Sequence, residues 1–256
     1  MEIKGTSAIV TGGASGLGEA TANLLASRGS RIVVLDMQDD RGEAVAAKVN
    51  GAFVKADVAD ADQVIAAVEA AKEMGPLRVL VNCAGIGFAQ RTVGRDGTYD
   101  SAADLDAFVR VVKINLIGTF NCVRLAATAM SATDPLDSGE RGAIVNTASV
   151  AAFDGQIGQI SYSASKGGVV GMTLPAARDL APVGIRVCTI APGLFDTPLL
   201  GQLPDDQRQA LAKDVVFPRR LGRADEYAAL VRSIVENSYL NGETFRLDGG
   251  LRMPPK

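Results

Sequence analysis

The stretch Thr11-Gly12-Gly13-Ala14-Ser15-Gly16-Leu17-Gly18 decides the fold of this chain of 256 residues. It follows an apolar run at residues 7–10 and opens a helical pattern at residues 17–27, so it predicts a turn from a strand into a helix. Its glycines allow backbone amides at the positive end of that helix to approach a pyrophosphate. The alternative is an ordinary glycine-rich turn between a strand and a helix.

Short apolar runs alternate with longer helical patterns along the rest of the chain. The strand candidates are residues 7–10, 31–36, 52–57, 79–82, 143–148, 185–191 and 244–247. The helical candidates are residues 17–27, 41–49, 60–74, 105–132, 161–180 and 224–236. Most strand candidates are continuous apolar runs, which is typical of parallel strands covered by helices on both faces. The sequence therefore predicts an α/β fold, a single domain over residues 1–256 with a doubly wound parallel sheet of about seven strands.

Three stretches interrupt this alternation. Residues 90–101 and 133–142 are rich in glycine, charged and turn-forming residues, and we expect both to be surface loops. Residues 194–223 follow a strand end and contain Pro198 and two further prolines. Beside the active edge of the sheet, this third segment would form a lid over a substrate.

The composition limits the partners and the compartment. With 47% hydrophobic residues, a net charge of −3 and no basic cluster on a helix face, the chain is expected to bind neither nucleic acid nor a membrane. No apolar run approaches the roughly 20 residues that span a bilayer. Cys83, Cys122 and Cys188 are dispersed, which indicates reduced thiols. Because the first strand candidate lies close to Met1, we expect no targeting peptide and a cytoplasmic location.

Asp36 ends the second strand candidate, about 20 residues beyond the glycine turn. A carboxylate there can accept both ribose hydroxyls of NAD and repel the 2′-phosphate of NADP. Neither Ser15 nor Met37 is basic, so neither supplies a cation for that phosphate. The sequence therefore predicts NAD as the cofactor, and a helix N-cap is the alternative role of Asp36.

Two further strand ends are candidates for contacts with the adenosine. The Asp57 carboxylate could accept from the adenine amino group, or it could cap the helix that begins near residue 60. Small residues after the fourth strand leave space for the adenosine ribose, while Asn82 is expected to tie neighbouring strands together. The predicted cofactor residues at these two ends are Asp57, Val58, Cys83, Ala84 and Gly85.

A second pattern, Ser149-x12-Tyr162-x3-Lys166, carries the chemistry. Tyr162 and Lys166 lie one helical turn apart and point from one face. The ordinary pKa of tyrosine, near 10, is too high for a base, and we expect the Lys166 ammonium and the positive nicotinamide ring to lower it. Lys166 can also hold the nicotinamide ribose hydroxyls, and Ser149 can hold the substrate oxygen.

Asn115 lies among apolar neighbours in a helical pattern, and a water chain toward Lys166 would supply the partners that a buried amide needs. The chain has no histidine, which excludes a Ser-His-Asp triad and a His-containing zinc site, and we predict no metal. Each residue has a plainer reading as core tyrosine, solvated lysine, cap or core amide. Together, after a nucleotide-binding turn, they predict a nicotinamide-dependent alcohol/ketone oxidoreductase with catalytic Asn115, Ser149, Tyr162 and Lys166.

These residues resemble the short-chain dehydrogenase/reductase family over essentially the whole chain. The matching motifs are Thr11-Gly12-x3-Gly16-x-Gly18, Asn82-x-Ala84-Gly85, Asn115, Ser149, Tyr162-x3-Lys166 and Pro192-Gly193. The resemblance implies a Rossmann-type sheet of seven parallel strands and a catalytic tetrad of Asn115, Ser149, Tyr162 and Lys166. It also implies that the segment after Pro192-Gly193, with Phe195 and Thr197, meets the nicotinamide carboxamide and the diphosphate. The implied cofactor residues of the turn are Gly12, Ser15, Gly16, Leu17 and Gly18.

Within the family, the chain is most similar to the type-2 3-hydroxyacyl-CoA dehydrogenase group, also described as multifunctional hydroxysteroid dehydrogenases. Stretches around Ser149, Tyr162 and Pro192 and the tail Asn241-Gly242-Glu243 carry this likeness. It implies NAD-linked oxidation of (S)-3-hydroxyacyl-CoA to 3-oxoacyl-CoA by a homotetramer, here a prokaryotic relative. The alternatives are a 3-oxoacyl-carrier-protein reductase, a hydroxysteroid or secondary-alcohol dehydrogenase, and a NAD(H)-binding scaffold subunit.

The substrate pocket is the least specified part of the hypothesis. Its predicted wall consists of Phe153, Gln156, Gln159 and Leu199, within or near the lid segment and the stretch after Ser149. Core or loop packing is the alternative role for each. The long helical patterns at residues 105–132 and 161–180 carry more apolar residues than one sheet face requires, which favours burial against a second subunit.

Overall fold

The computed structural model describes residues 1–198 and 211–255. Seven strands pair in parallel in the order β3-β2-β1-β4-β5-β6-β7. They are β1 (Ser7–Thr11), β2 (Arg31–Asp36), β3 (Ala52–Lys55), β4 (Leu77–Asn82), β5 (Gly142–Thr147), β6 (Ile185–Pro192) and β7 (Thr244–Leu247). The predicted doubly wound parallel sheet is therefore confirmed.

Helices cover both faces of the sheet. They are α1 (Gly16–Ser27), α2 (Asp39–Lys48), α3 (Ala61–Met74), α4 (Leu105–Val112), α5 (Thr119–Ser131), α6 (Ile160–Leu180) and α7 (Ala224–Glu236). Alternate strand residues point to opposite faces, so Ala8 and Val10 pack with α1, α2 and α7. Ile9 packs on the other face with α3 and α5. Each fully buried Val, Leu or Ile contributes about 1.5–3 kcal/mol of transfer free energy to these two cores.

The strand order reverses around β1, which lies between β2 and β4. In the sheet Thr11 pairs with Asn82, and Asn82 pairs with Asn146. The carboxyl ends of β1, β4 and β5 therefore lie side by side. In open α/β sheets the crevice outside such a reversal is where ligands bind, and the predicted site residues follow these three strand ends.

The helix predicted over residues 105–132 is interrupted. Between α4 and α5 the segment Lys113–Gly118 is a π-helix, and Asn115 lies inside it. The Thr119 hydroxyl donates to the Asn115 carbonyl oxygen at 2.7 Å, so a side chain satisfies part of the altered backbone pattern. Single π-helical turns within α-helices are common at functional sites. Apart from this interruption, the predicted elements begin and end within two residues of the observed bounds, including β3, which stops at Lys55 rather than at residue 57.

The two predicted loops and the predicted lid have different outcomes. Residues 90–101 form a loop that ends in one short 3-10 turn, Tyr99–Ser101. Of residues 133–142, the last belongs to β5 and the rest form a loop, but that loop is not wholly on the surface, because Glu140 is buried. Of the lid segment, residues 199–210 lie outside the described residues. Its two flanks contact each other, because the Gly222 amide donates to Leu194 and the Gly222 carbonyl accepts from Asp196, both at 2.8 Å. The lid itself stays a prediction.

Candidate functional site

The glycine-rich turn closes tightly at the end of β1. Gly12 has a φ of +63°, in the left-handed region that strains other residues. A Cβ on Gly18 would lie 2.1 Å from the Gly12 carbonyl oxygen, so no side chain fits there. Ser15 is the N-cap residue of α1, and among the described residues its side chain makes no capping hydrogen bond. The first amides of α1 are therefore available to an anionic ligand.

A cleft of about 800 Å³ opens beside this turn, at the carboxyl ends of the strands. The predicted cofactor residues that line it are Gly12, Ser15, Gly16, Leu17, Gly18, Asp36, Asp57, Val58, Cys83, Ala84, Gly85 and Thr197. Tyr162, Lys166, Pro192, Gly193 and Phe195 do not line this cleft. We call it the nucleotide cleft.

Sequence reasoning missed part of the wall of the nucleotide cleft. These residues are Leu35, Met37, Gln38, Arg41, Ala56, Ile86, Arg110, Lys113, Ile114 and Pro198. Most are immediate neighbours of a predicted residue, as Ile114 is of Asn115. Arg110 and Lys113 are different, since only the position of α4 beside the cleft brings them there.

Asp36 is fixed at the end of β2 by backbone amides. Its Oδ2 accepts from the Ala14 amide at 3.1 Å, and its Oδ1 accepts from the Gln38 amide at 3.1 Å. Gln38, not Asp36, is the N-cap residue of α2, so the alternative role of Asp36 as a cap is wrong. The carboxylate is held in one orientation on the wall of the nucleotide cleft.

Asp57 also has no capping role for the following helix. Asp60 is the N-cap residue of α3, and its Oδ1 accepts from the amides of Asp62 and Gln63. Asp57 instead accepts from the Ala59 amide at 2.9 Å within its own turn. Its place on the cleft wall keeps the adenine contact open as a prediction.

The end of β4 joins the cleft to the neighbouring strand. The Asn82 side-chain amide donates to Asn146 Oδ1 at 2.9 Å, which confirms that Asn82 ties β4 to β5. The Cys83 sulfur lies 3.7 Å from the hydroxyls of Thr147 and Tyr227. Burial raises the pKa of the Cys83 thiol, so the thiol stays protonated at neutral pH.

Ser149, Tyr162 and Lys166 lie together beyond the end of β5. The Ser149 hydroxyl accepts from the Ala151 amide at 3.1 Å and lies near enough to the Tyr162 phenol to influence its pKa. The Lys166 ammonium nitrogen lies 5.9 Å from the centre of the Tyr162 ring and donates to the Thr147 carbonyl at 2.8 Å. The plainer reading of Ser149 as a cap is also met, because the residue begins the 3-10 turn Val150–Ala152.

The electrostatics of this group differ from the expectation. Burial raises the pKa of the Tyr162 phenol, and the hydrogen bond from Ser149 opposes that rise. Burial lowers the pKa of Lys166 to about 8, and the nearby Cys83 opposes that fall. Burial disfavours the charged form of both groups. In the chain without cofactor the net direction is upward because of burial, and the expected lowering by Lys166 together with the nicotinamide ring stays a prediction.

Asn115 is fully buried, and its side-chain amide is hydrogen-bonded to other protein atoms. Its Oδ1 accepts from the Ile86 amide at 2.8 Å, and its Nδ2 donates to the Ile86 carbonyl at 2.9 Å and to Ser165 Oγ at 3.1 Å. The expectation that a water chain supplies its partners is therefore wrong. A Cβ on Gly85 would lie 3.1 Å from Asn115 Oδ1 and 3.4 Å from Lys166 Nζ, so both side chains border the same point.

Thr147 connects Lys166 to the far face of the sheet. Its carbonyl accepts from Lys166, while its hydroxyl lies 2.7 Å from the Tyr227 hydroxyl on α7. The same hydroxyl donates to the Asn82 carbonyl at 2.5 Å. Tyr227 is among the largest fully buried side chains, so this polar contact lies inside the core.

The predicted substrate residues are only partly open to a ligand. Phe153 is half exposed, and its ring lies 5.3 Å from the Arg246 guanidinium carbon. The Gln156 side chain donates to the Pro254 carbonyl at 3.1 Å, and the Gln159 side chain accepts from the Gln156 amide at 3.0 Å. The side-chain amides of Gln156 and Gln159 therefore each have a hydrogen-bond partner within the protein. Leu199 lies outside the described residues.

The comparisons with known proteins fit this geometry. The family model described as short chain dehydrogenase matches residues 6–208. The chain belongs to the short-chain dehydrogenase family. It is therefore an oxidoreductase, and its seven-stranded parallel sheet is the Rossmann-type fold of a short-chain dehydrogenase.

Several relatives of this short-chain dehydrogenase cover the whole chain. The 3-hydroxyacyl-CoA dehydrogenase type-2 of Bos taurus is 56% identical, over 99% of this chain and 97% of the bovine protein. The Homo sapiens protein of the same name is 54% identical over the same shares. The crystal structure of 3-hydroxyacyl-CoA dehydrogenase type-2 from Mycobacterium avium is 45% identical, covers 98% of both chains and superimposes with a TM-score of 0.95.

Two other properties concern the described residues of this dehydrogenase. None of its helices there is long and apolar enough to cross a membrane. Across residues 1–198 and 211–255, no group of three or more Cys, Asp or Glu side chains is placed to hold a metal ion.

Proposed function

We propose that the chain is an NAD-dependent oxidoreductase that interconverts (S)-3-hydroxyacyl-CoA and 3-oxoacyl-CoA. The observation that supports the reaction type is that Tyr162 and Lys166 on α6 lie close to Ser149, beyond the end of β5. The substrate class is supported by the names of full-length relatives at 54–56% identity.

The residues present fit NAD. The backbone amides at the start of α1 suit the pyrophosphate. Because Gly12 and Gly18 pack closely without side chains, the backbone of the turn stays accessible to the pyrophosphate. The oriented Asp36 carboxylate suits the ribose hydroxyls and repels a 2′-phosphate. NAD, when bound, would supply the hydride acceptor for the carbinol carbon.

The chain's own residues would handle the proton and the substrate oxygen. Ser149 would hold that oxygen, and Tyr162 would take the hydroxyl proton as the alcohol is oxidised. Lys166 is held by the Thr147 carbonyl, and with a pKa of about 8 it is charged at neutral pH. Because burial raises the pKa of Tyr162, its phenolate needs a positive charge beyond Lys166, and the oxidised nicotinamide ring carries one.

The test is turnover of a panel of 3-hydroxyacyl-CoA chain lengths with NAD and with NADP. We expect oxidation with NAD and a loss of about 10²-fold or more in Tyr162→Phe, since general-base catalysis contributes about 10²–10⁴-fold. Tyr239→Phe is the matched control, because Tyr239 is almost fully exposed. Near-wild-type turnover by Tyr162→Phe would reject the mechanism, and a preference for NADPH would reject the role of Asp36.

A homotetramer is part of the proposal. A groove of about 760 Å³ lies between α5 and α6, with Phe120, Met172 and Pro175 in its wall. Phe120 and Leu174 are large apolar side chains exposed on these two helices. An apolar surface of this kind supports burial against a second subunit.

We also propose a cytoplasmic location. Cys83, Cys122 and Cys188 are free cysteines, and burial raises the pKa of each thiol. Free, dispersed thiols suit a reducing compartment. Cell fractionation that found the protein in an oxidising compartment would contradict this part of the proposal.

A further inference from the structure

One loop connects two of the predicted catalytic residues. After Ser149 and the short turn Val150–Ala152, residues 153–159 lead directly into α6, where Tyr162 lies in the first turn. We call residues 153–159 the connecting loop. A shift of this loop displaces whatever substrate contacts it, and it also moves the approach to Tyr162.

Arg246 on β7 is the residue that holds the connecting loop from the side. One guanidinium nitrogen donates to Asp154 Oδ2 at 2.6 Å, and the guanidinium carbon lies 5.3 Å from the centre of the Phe153 ring. Arg246 therefore contacts two adjacent loop residues, one through an ion pair and one through a cation–π interaction.

The same guanidinium is anchored to the protein beyond the loop. Its Nε donates to Asp248 Oδ2 at 2.7 Å, and one terminal nitrogen donates to the Leu251 carbonyl at 2.9 Å. Asp248 in turn packs on Gly193, since a Cβ on Gly193 would lie 2.9 Å from the Asp248 Cα. Arg246 thus joins the connecting loop to the stretch predicted to meet the nicotinamide.

Residues close to Arg246 along the chain hold the loop at two more points. The Gln156 side chain donates to the Pro254 carbonyl, and the Ile157 amide donates to the Pro255 carbonyl at 3.0 Å. The Asp154 carboxyl has a lowered pKa, chiefly because of its hydrogen bond from Arg246, so the ion pair persists throughout the neutral range. Four of the contacts that hold the connecting loop are therefore with residues 246–255, and the Gly158 carbonyl also accepts from the Gln90 amide at 2.8 Å.

We propose that Arg246 is a positioning residue for the substrate, which through Asp154 and Phe153 fixes the connecting loop beside Ser149 and Tyr162. The inference rests on the proposed function, because it assigns Arg246 a part in the same reaction. Arg246 touches no reacting group itself. Its effect is to keep Phe153 where the substrate must pack.

The test replaces Arg246 by methionine in the full chain, which keeps an unbranched side chain and removes the charge. We expect kcat/KM for the 3-hydroxyacyl-CoA substrate to fall about tenfold or more, because a misplacement of about 1 Å can cost as much as a hundredfold. The Kd for NADH, measured by fluorescence, should stay within about twofold of wild type. Hydrogen exchange of a peptide covering the connecting loop should rise.

Arg252→Met is the matched control. Arg252 donates to the same Asp248 oxygen at 3.2 Å, but it is 65% exposed, and it acts on Asp154 only through its charge, without the hydrogen bond that Arg246 makes. Its kcat/KM should stay within about twofold of wild type. If Arg246→Met does not fold, Asp154→Asn on the connecting loop is the second variant. It removes the other partner of the same ion pair and should also lower kcat/KM. Arg246→Lys should restore part of the loss, since it returns the charge without the forked geometry.

The outcomes separate the two proposals. Unchanged kcat/KM in Arg246→Met, with faster exchange in the loop, would show a purely structural contact and overturn the inference while leaving the proposed function intact. An equal loss in Arg252→Met, or an equal loss of NADH affinity, would overturn it as well. If wild-type protein oxidises no 3-hydroxyacyl-CoA with NAD, the proposed function fails, and the inference about Arg246 fails with it.

Discussion

At the scale of single residues, the site depends on Lys166 and Tyr162, two groups whose charged forms are disfavoured by burial. Lys166 is buried with a carbonyl as its hydrogen-bond partner, and no carboxylate pairs with it among the described residues. Tyr162 is partly buried beside it with a raised pKa. Both groups can therefore respond strongly to a third charge, because screening by water is weak at such a position.

We predict that oxidised cofactor lowers the pKa of Tyr162. Without cofactor, burial keeps this pKa above the ordinary value, so its phenolate forms only at high pH. The positively charged nicotinamide ring favours the phenolate, so saturation with NAD should lower the pKa of Tyr162. The pH above which the oxidation rate is maximal should therefore be lower at saturating NAD than at limiting NAD. The chain has four tyrosines and no tryptophan, which allows near-ultraviolet titration of tyrosinate. A difference spectrum between wild type and Tyr162→Phe that does not move on adding NAD would contradict this.

We predict that Asp36→Ala weakens the preference for NAD. The substitution removes the carboxylate that repels a 2′-phosphate, and Arg41 already lines the same part of the nucleotide cleft. The ratio of kcat/KM for NAD to that for NADP should fall by about tenfold or more, equal to about 1.4 kcal/mol. Asp39→Ala is the control, since Asp39 is exposed and pairs with Lys55. An unchanged ratio in Asp36→Ala would show that other groups set the preference.

At the scale of elements, the π-helix between α4 and α5 is the decisive irregularity. It carries Asn115 at the point where the side chain meets the backbone of Ile86. The bond from Thr119 to the Asn115 carbonyl belongs to the same turn. The altered turn therefore links the helix to the loop that follows β4.

We predict that Thr119→Val destabilises this turn. The change keeps the shape of the side chain but leaves the Asn115 carbonyl without its hydroxyl partner, at a cost of about 1–3 kcal/mol in the free energy of unfolding. Turnover should fall with it because Asn115 loses its fixed position. Thr128→Val is matched, since the Thr128 hydroxyl makes the same kind of bond to Arg124 on the exposed side of α5. Equal effects in both variants, measured by chemical denaturation and by kcat, would exclude a special role for the turn.

The sequence was most informative where local pattern and tertiary structure agree. Continuous apolar runs predicted most of the seven strands, because a strand buried on both faces has few polar positions. The π-helix was missed, since its cause is a contact between Asn115 and Ile86, far apart along the chain. The effect of burial on Tyr162 was missed for the same reason. Nothing in the spacing of Gln156 and Gln159 revealed that the Gln156 side chain donates to the Pro254 carbonyl, or that the Gln159 side chain accepts from the Gln156 amide.

At the scale of the whole molecule, the sheet separates two tasks. The nucleotide cleft lies at the carboxyl edge of the strands, whereas α5 and α6 present apolar side chains on the outer surface. Assembly through that surface would leave the cleft open. The same architecture thus allows an oligomer whose subunits each keep a complete site.

We predict that Phe120→Asp disrupts the proposed homotetramer. A carboxylate at the groove between α5 and α6 would be buried without a partner on association, which is strongly unfavourable. Light scattering should show wild-type protein at the mass of four chains and the variant at a lower mass. Ile65→Asp is the control, because Ile65 is exposed on α3, away from the groove. A monomeric wild type would contradict the prediction.

Thr147 links polar groups on the two sides of the sheet through its hydrogen bonds. Its carbonyl serves the ammonium group on one side, and its hydroxyl meets the α7 phenol on the other. A random mutagenesis screen for altered activity at alkaline pH should therefore recover substitutions around Tyr227, in a helix that does not line the nucleotide cleft. Second-site suppressors of such substitutions should map to β5, which lies between Lys166 and Tyr227, rather than to the residues that line the nucleotide cleft.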